Sequence, residues 1–252
     1  GEARGLEQHA VCGDGGSLFA LRDGDILETG HGRVEVLLTP GVFLRRGRGS
    51  ALEMMQVSTT DTRLRLHRGS AIIEANDIHR DSRLGIETGQ GVAEIMEAGL
   101  YRFDANPPAV QVIQGSAAVM DDRRTVELHN GERAQLDGSL RTSRAWEVND
   151  ELAAWSRSRS QAEADASIAA AQYAYDNPNS GYYEPAVSVA SSWVWNPWIS
   201  SYTWIPARRT HVNFYGFSYW SPSVVYRSYP TRYYSAWRPA PAFAPRPVYR
   251  NT

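Results

Sequence analysis

The chain has 252 residues, 42% of them hydrophobic, which suffices for one or two domains with a sizeable buried core. A formal net charge of -2 gives no global reason to expect a nucleic-acid or anionic-membrane partner. A single cysteine, Cys12, excludes an internal disulfide, and no window approaches the ~20 apolar residues that a membrane span requires.

Residues 1–24 form an amino-terminal segment that begins at Gly1 rather than Met. Removal of a signal peptide is the expectation, and with it export. In an oxidising compartment Cys12 is either a buried inert thiol or the site of an intermolecular disulfide.

From residue 25 to about 140 apolar and polar residues alternate, as in Val34-Glu35-Val36 and Leu64-Arg65-Leu66, with glycine closing each run. That period of two predicts half-buried strands joined by tight turns, about ten between residues 17 and 140. The region also repeats itself. Glu28-Thr29-Gly30-His31-Gly32 returns as Glu87-Thr88-Gly89-Gln90-Gly91, Gly41-Val42-Phe43 as Gly99-Leu100-Tyr101, and Leu64-Arg65-Leu66-His67-Arg68-Gly69-Ser70-Ala71 as Val110-Gln111-Val112-Ile113-Gln114-Gly115-Ser116-Ala117. The order of blocks is preserved, so two copies, about 28–77 and 87–122, share an ancestor and are expected to stack as a β-roll or solenoid over a common apolar seam.

Residues 141–175 turn to Ala, Glu, Arg and Gln, with Leu152, Trp155, Ala162, Ala166, Ala169 and Tyr173 near one helical stripe. One long helix or a broken pair is predicted, ended by Asp176-Asn177-Pro178-Asn179-Ser180-Gly181. Residues 176–252 are a different material. From residue 173 onward the chain holds 21 of its 27 aromatic residues and 10 of its 13 prolines. Pairs two apart, Trp193 with Trp195 and Phe217 with Tyr219, would share a strand face, and the prolines restrict such strands to short or edge positions. The window 186–205 is too interrupted by Ser, Asn196 and Pro197 for a membrane helix. Charge divides along the same line: residues 1–172 carry 19 Arg against 26 acids, and residues 173–252 carry 7 Arg against 2 acids.

The stretch Gly32-Arg33-Val34-Glu35-Val36-Leu37-Leu38-Thr39-Pro40-Gly41-Val42-Phe43-Leu44-Arg45 resembles the opening of a FecR domain. The likeness continues through Leu66-His67-Arg68-Gly69-Ser70-Ala71, Gly99-Leu100-Tyr101-Arg102-Phe103-Asp104 and Val112-Ile113-Gln114-Gly115-Ser116-Ala117, covering about residues 25–137. Glu151-Leu152-Ala153-Ala154-Trp155-Ser156, Trp195-Asn196-Pro197-Trp198 and Tyr202-Thr203-Trp204-Ile205-Pro206 are similar to segments of exported FecR-domain proteins with aromatic tails. The resemblance implies an all-β, envelope-exposed domain without catalytic machinery. In the best-known members that domain is the periplasmic half of a transmembrane regulator reporting on an outer-membrane transporter. This sequence lacks the cytoplasmic anti-sigma region and the membrane span of that plan, so the resemblance carries over a β platform that docks other proteins.

Chemistry is sought in the sequence without success. His9, His31, His67, His79, His129 and His211 make no metal-ligand spacing, and no nucleotide fingerprint or nucleophile elbow occurs. No catalytic residue, metal or cofactor is expected. Arg and Tyr interleave in Tyr226-Arg227-Ser228-Tyr229 and Arg232-Tyr233-Tyr234, but seven Arg in the tail are a thin footprint for nucleic acid, which is not an expected partner.

The aromatic tail therefore carries the functional expectation. About fifteen rings, each hiding roughly 150 to 250 Å², bury on the order of 2,000 to 4,000 Å², the range of permanent assemblies. The leading expectation is a structural role, in which the tail packs on a neighbouring copy to build an extracellular or envelope filament or tube. Its contacts would come from Trp193, Trp195 and Trp198; from Tyr202, Trp204, Phe214 and Tyr215; from Phe217, Tyr219 and Trp220; and from Tyr233, Tyr234 and Trp237. The bland competitor is a tail folded back on its own β region. The alternative function is a periplasmic or cell-surface sensing or polysaccharide-binding module, acting as a monomer or with a partner protein. Sequence predicts a mainly β fold: duplicated β region, one long helix, extended aromatic tail with short strands.

Overall fold

The computed structural model describes residues 9–12, 18–58, 60–145, 148–176, 191–196, 199, 201–207 and 209–228. In chain order the strands begin with β1 (His9–Cys12), β2 (Leu18–Ala20), β3 (Ile26–Glu28), β4 (Val34–Leu37), β5 (Val42–Arg46), β6 (Ala51–Gln56), β7 (Asp61–Arg68) and β8 (Ser70–Ala75). They continue with β9 (Arg83–Thr88), β10 (Gly91–Ile95), β11 (Gly99–Ala105), β12 (Pro108–Gln114), β13 (Ala117–Met120), β14 (Thr125–Leu128), β15 (Glu132–Gln135) and β16 (Thr142–Arg144). Helix α1 (Glu151–Asp176) follows, then β17 (Ser192–Asn196), β18 (Ser201–Ile205), β19 (Thr210–Val212), β20 (Ser218–Trp220) and the short α2 (Pro222–Ser228). The chain is mainly β, with one long helix and short strands after it, as the sequence predicts.

Sixteen strands make two sheets. One has nine strands in the order β16-β15-β12-β11-β8-β5-β4-β1-β2, the other seven in the order β14-β13-β10-β9-β7-β6-β3. Pairing is antiparallel except between β7 and β9. Alternation supplies the core between them. Val36, Leu44, Ile73, Phe103 and Val110 from the nine-stranded sheet meet Leu52, Met54, Leu64, Ile86 and Val119 from the seven-stranded one in a single apolar cluster.

The two sequence copies do not form separate layers. Each gives strands to both sheets, β4, β5 and β8 against β6 and β7 in the first, β11 and β12 against β9, β10 and β13 in the second. The repeated Gly-Ser-Ala block explains how. In both copies it is the corner where the chain leaves one sheet for the other, β7 to β8 and β12 to β13. Gly69 (φ +82) and Gly115 (φ +98) supply the left-handed backbone the corner needs; a Cβ there would lie 2.2 Å from Ser50 Oγ and from the Tyr101 hydroxyl, respectively.

The described residues of α1 and the segments after it lie against one face of the nine-stranded sheet. Asp150 caps α1, its Oδ1 accepting from Ala153 N at 2.9 Å, and the same carboxylate pairs with Arg102 of β11 at 2.6 Å, tying the start of the helix to the sheet. The buried stripe of α1 overlaps the apolar one read from the sequence only in part, at Leu152 and Ala169. It runs through Leu152, Ser156, Ser160, Glu163, Ser167, Ala170 and Ala174, whereas Ala162 is exposed and Trp155 only half-buried. Small and polar side chains are selected because the sheet face beneath carries charge. Among the described residues no helix is long and apolar enough to cross a membrane.

Candidate interaction site: the covered face of the nine-stranded sheet

On β4, β5 and β8 the residues between the core positions are Glu35 and Leu37, Phe43 and Arg45, and Ile72 and Glu74. They point away from the sandwich core, where a sheet usually meets water, yet all six are buried. Register places Glu35 opposite Arg45, and Glu74 opposite Phe43. Arg45 is the centre. Its Nε donates to Glu35 Oε2 at 2.6 Å, its Nη1 to Glu74 Oε2 at 2.5 Å and to Ser156 Oγ at 3.3 Å, and its guanidinium lies 5.0 Å from the Phe43 ring centroid.

Helix and tail complete the layer. Arg159 Nη2 donates to Glu35 Oε1 and to Glu163 Oε1, each at 2.7 Å. Glu74 Oε1 accepts from Ser160 Oγ at 3.0 Å, Asn76 Nδ2 at 3.1 Å and Asn213 Nδ2 at 2.8 Å, so sheet, helix and the segment after β19 converge on one oxygen. The Tyr215 hydroxyl donates to Ser156 Oγ at 2.9 Å. Removing such charges from water costs several kcal/mol per ion, and the dense donor set offsets that cost.

Electrostatics follow from the geometry. Burial pushes the Glu35 carboxyl up, but Arg45 and Arg159 outweigh it and hold it below its ordinary 4.5. Burial acts against the Arg45 cation as well, and Glu35 with Glu74 overcome it, so Arg45 stays charged. Glu163 behaves oppositely: burial first and the Glu35 charge second raise it to about 8 against the pull of Arg159. The Tyr219 phenol is raised well above 10, again by burial.

Around this polar centre the aromatic segment forms a lid of rings. Strands β17 and β18 pair as a hairpin with Trp193 opposite Trp204 and Trp195 opposite Tyr202 on one face, and Val194 opposite Thr203 on the other. The first face meets the sheet: Trp204 and Tyr219 are buried with Leu37, Phe43 and Ala164, and Trp193, Tyr202 and Phe217 pack against them. The Phe43 and Trp193 rings meet edge to face at 5.2 Å, the Trp204 and Tyr219 rings at 4.9 Å. The second face meets the helix, Val194 and Ile205 packing with Ala170, Ala171 and Val225. Gly41 lies under the indole. It has φ +88, and a Cβ on it would be 3.0 Å from Trp204 Cε2 and from Asp77 Cβ.

Nine of the ring residues expected to make contacts are described. Trp204 and Tyr219 are buried; Trp193, Trp195, Tyr202, Phe214, Tyr215, Phe217 and Trp220 are half-buried. Phe214 and Tyr215 join Ile72, Leu100 and Leu152, Trp220 joins the helix cluster, and Trp195 stacks edge to face on Tyr202 at 5.3 Å. Trp198, Tyr233, Tyr234 and Trp237 lie outside the described residues, as does the Cys12 side chain whose intermolecular bridge was expected. The backbone of Cys12 ends β1 opposite Val34.

These contacts correct one expectation. The rings were expected to need a neighbouring subunit; the described ones pack on their own sheet and helix, as in the fold-back competitor, with Trp204 and Tyr219 buried and the other seven half-buried. The reason is physical. Outward residues reading Glu, Arg and Glu imply a solvated sheet face, whereas this face pairs Glu35 and Glu74 with Arg45 and offers Leu37, Phe43, Ile72 and Leu100 as apolar ground. Sequence reasoning missed Glu35, Arg45, Glu74, Ser156, Ser160, Glu163 and Asn213 as a set. The available signal was Ser156, Ser160, Glu163 and Ser167 recurring at helical spacing.

No family model matches the sequence, and no curated protein matches it either. Among solved structures, two crystal structures of a candidate anti-sigma factor from Parabacteroides distasonis ATCC 8503, at 2.50 and 1.65 Å resolution, are similar to this chain. Identity is 16% and 15%, with a TM-score of 0.44 for each, over 53% of this chain and 64% and 65% of theirs. The chain thus spans less than two thirds of the length of the structures it matches.

Proposed function

We propose that this protein is a non-enzymatic, exported, FecR-like interaction module of the cell envelope that acts as a monomer or with a partner protein, rather than a subunit of a filament. The observation that carries this reading is the cover in cis: the aromatic segment expected to seek a neighbour spends its described rings on Phe43, Leu37 and the α1 helix of its own chain. Ring area packed within the chain leaves less apolar surface to drive polymerisation. The FecR-like blocks at 32–45 and 99–104 supply β4, β5 and β11 of the same sheet, with β8 between β5 and β11, and the first block carries Glu35 and Arg45 of the charged row. The non-enzymatic part of the reading rests on the clustered ionisable groups: Glu35, Arg45 and Glu74 are buried and paired with one another rather than presented to a substrate. Such a platform recognises its partner through shape and surface, with the covered face as the part that can be opened.

Light scattering on the purified full chain tests the reading. A single species at the chain mass of 28.0 kDa across a wide dilution range is expected. Particles many times heavier, or a mass that climbs with concentration, contradict it and restore the filament.

A further inference from the structure

The covered face holds an odd number of charges. Three carboxyl groups, Glu35, Glu74 and Glu163, meet two guanidinium groups, Arg45 and Arg159. The carboxyl side chains are only 1%, 0% and 2% exposed. Fully ionised, the layer would carry one uncompensated negative charge away from water, an arrangement that proteins relieve by taking up a proton.

The hydrogen bonds show which group takes it. Glu35 accepts from Arg45 on one oxygen and twice from Arg159 on the other. Glu74 accepts from Arg45 on Oε2 and from three neutral donors on Oε1. Glu163 receives Arg159 on Oε1 alone, and its buried Oε2 has no partner among the described residues. An unpartnered oxygen is far cheaper on a neutral acid than on a carboxylate.

We propose that the layer binds one proton, on Glu163, and that this proton is the catch that fastens α1 and the aromatic cover to the nine-stranded sheet. Ala164, the next residue on the helix, belongs to the same buried cluster as Trp204 and Tyr219, and the Glu163 charge bears on the Tyr219 phenol, so a charge appearing at Glu163 acts on both parts of the cover. Loss of the proton loosens helix and hairpin together and uncovers Phe43, Leu37 and the charged row. The inference deepens the reading above by naming what holds the cover shut. Its failure leaves the cover in cis intact, and the molecular mass reports on that separately.

The direction with pH follows from linkage. The folded value of Glu163, about 8, lies above its ordinary 4.5, so its contribution is complete below the ordinary value and disappears as pH rises through about 8. The groups facing it are Glu35 of β4, Arg45 of β5, Glu74 of β8, Arg159 on its own helix and Tyr219 of β20. Burial holds the Tyr215 and Tyr219 phenols neutral, and burial of His211 makes it shed its charge below the ordinary histidine range, so these groups do not mask the Glu163 step.

Infrared difference spectroscopy on the full chain, between about pH 6 and about pH 9 where this step falls, reads the proton directly. A protonated-carboxyl carbonyl band is expected at the lower pH, lost at the higher and missing at both from Glu163→Gln. Amide exchange in α1, corrected for intrinsic rates, is expected to accelerate at the higher pH in the native chain and to stay constant in the variant. If Glu163→Gln fails to fold, Glu35→Gln serves: with a negative neighbour gone, the band must titrate at lower pH. Absence of the band, its survival in Glu163→Gln, α1 protection that ignores pH, or a band in Glu35→Gln that does not move down overturns the proposal.

Discussion

The two faces of the nine-stranded sheet are built from the same strands by opposite means. Toward the seven-stranded sheet, Val36, Leu44 and Ile73 pack into an apolar core held by area and shape. Toward α1, one residue along each strand, Glu35, Arg45 and Glu74 are just as buried but held by charge and hydrogen bonds. An apolar core loses stability in proportion to what is removed. A charged layer fails when its balance is broken, because each remaining ion keeps its desolvation cost. The core is thus suited to permanence and the layer to being opened.

The largest expected effect comes from breaking that balance. Arg45→Ala leaves Glu35 and Glu74 buried without their shared cation and should cost about 3–5 kcal/mol. Denaturant titration with site-resolved hydrogen exchange should show protection lost first in α1 and residues 191–228 and later in β6 and β7. Leu64→Ala, in the apolar core, should cost about 2–5 kcal/mol and lower protection in both sheets without singling out the cover. Equal patterns from the two variants would remove the distinction between the faces.

Gly41→Ala probes the docking of the cover with the charges intact. Its left-handed backbone and the close approach of Trp204 predict a loss of about 1–3 kcal/mol, with tryptophan emission shifting red as the indole is displaced. Acid should open the layer from the other side. The Glu35 value is held below the ordinary 4.5, so its contribution is present above that value and lost as pH falls further, making the stability of the cover bell-shaped in pH. The smallest effect is expected at Arg33→Ala. Its ion pair with Glu151, a side chain 63% exposed, is worth less than about 1 kcal/mol, and denaturant midpoints should barely move.

The apolar face was legible because alternation has a direct physical cause: Leu64 and Leu66 are buried between the sheets at the positions the period of two assigns. The same pattern treats Glu35 and Arg65 alike, although Glu35 is sealed under the helix and Arg65 is 41% exposed. Alternation says which way a side chain points and not what lies there. The helix was legible as a helix, but apolar residues marked only part of its buried stripe: Leu152 and Ala169 lie on it, whereas Ser156, Ser160 and Glu163, which the charged sheet face selects, were missed. In the aromatic segment, the spacing of Trp193 and Trp195 identified a shared strand face correctly. Ring area alone could not say whose surface would cover it.

The central claim is that one chain covers its own sheet face. Hydrogen exchange of α1, β17 and β18 measured over a wide range of protein concentration tests it most directly. The account predicts protection at these amides that is independent of concentration, because every contact is made within one molecule. Protection that appears only as the protein is concentrated, while the two sheets stay protected throughout, would show that the cover belongs to a neighbour and would contradict it.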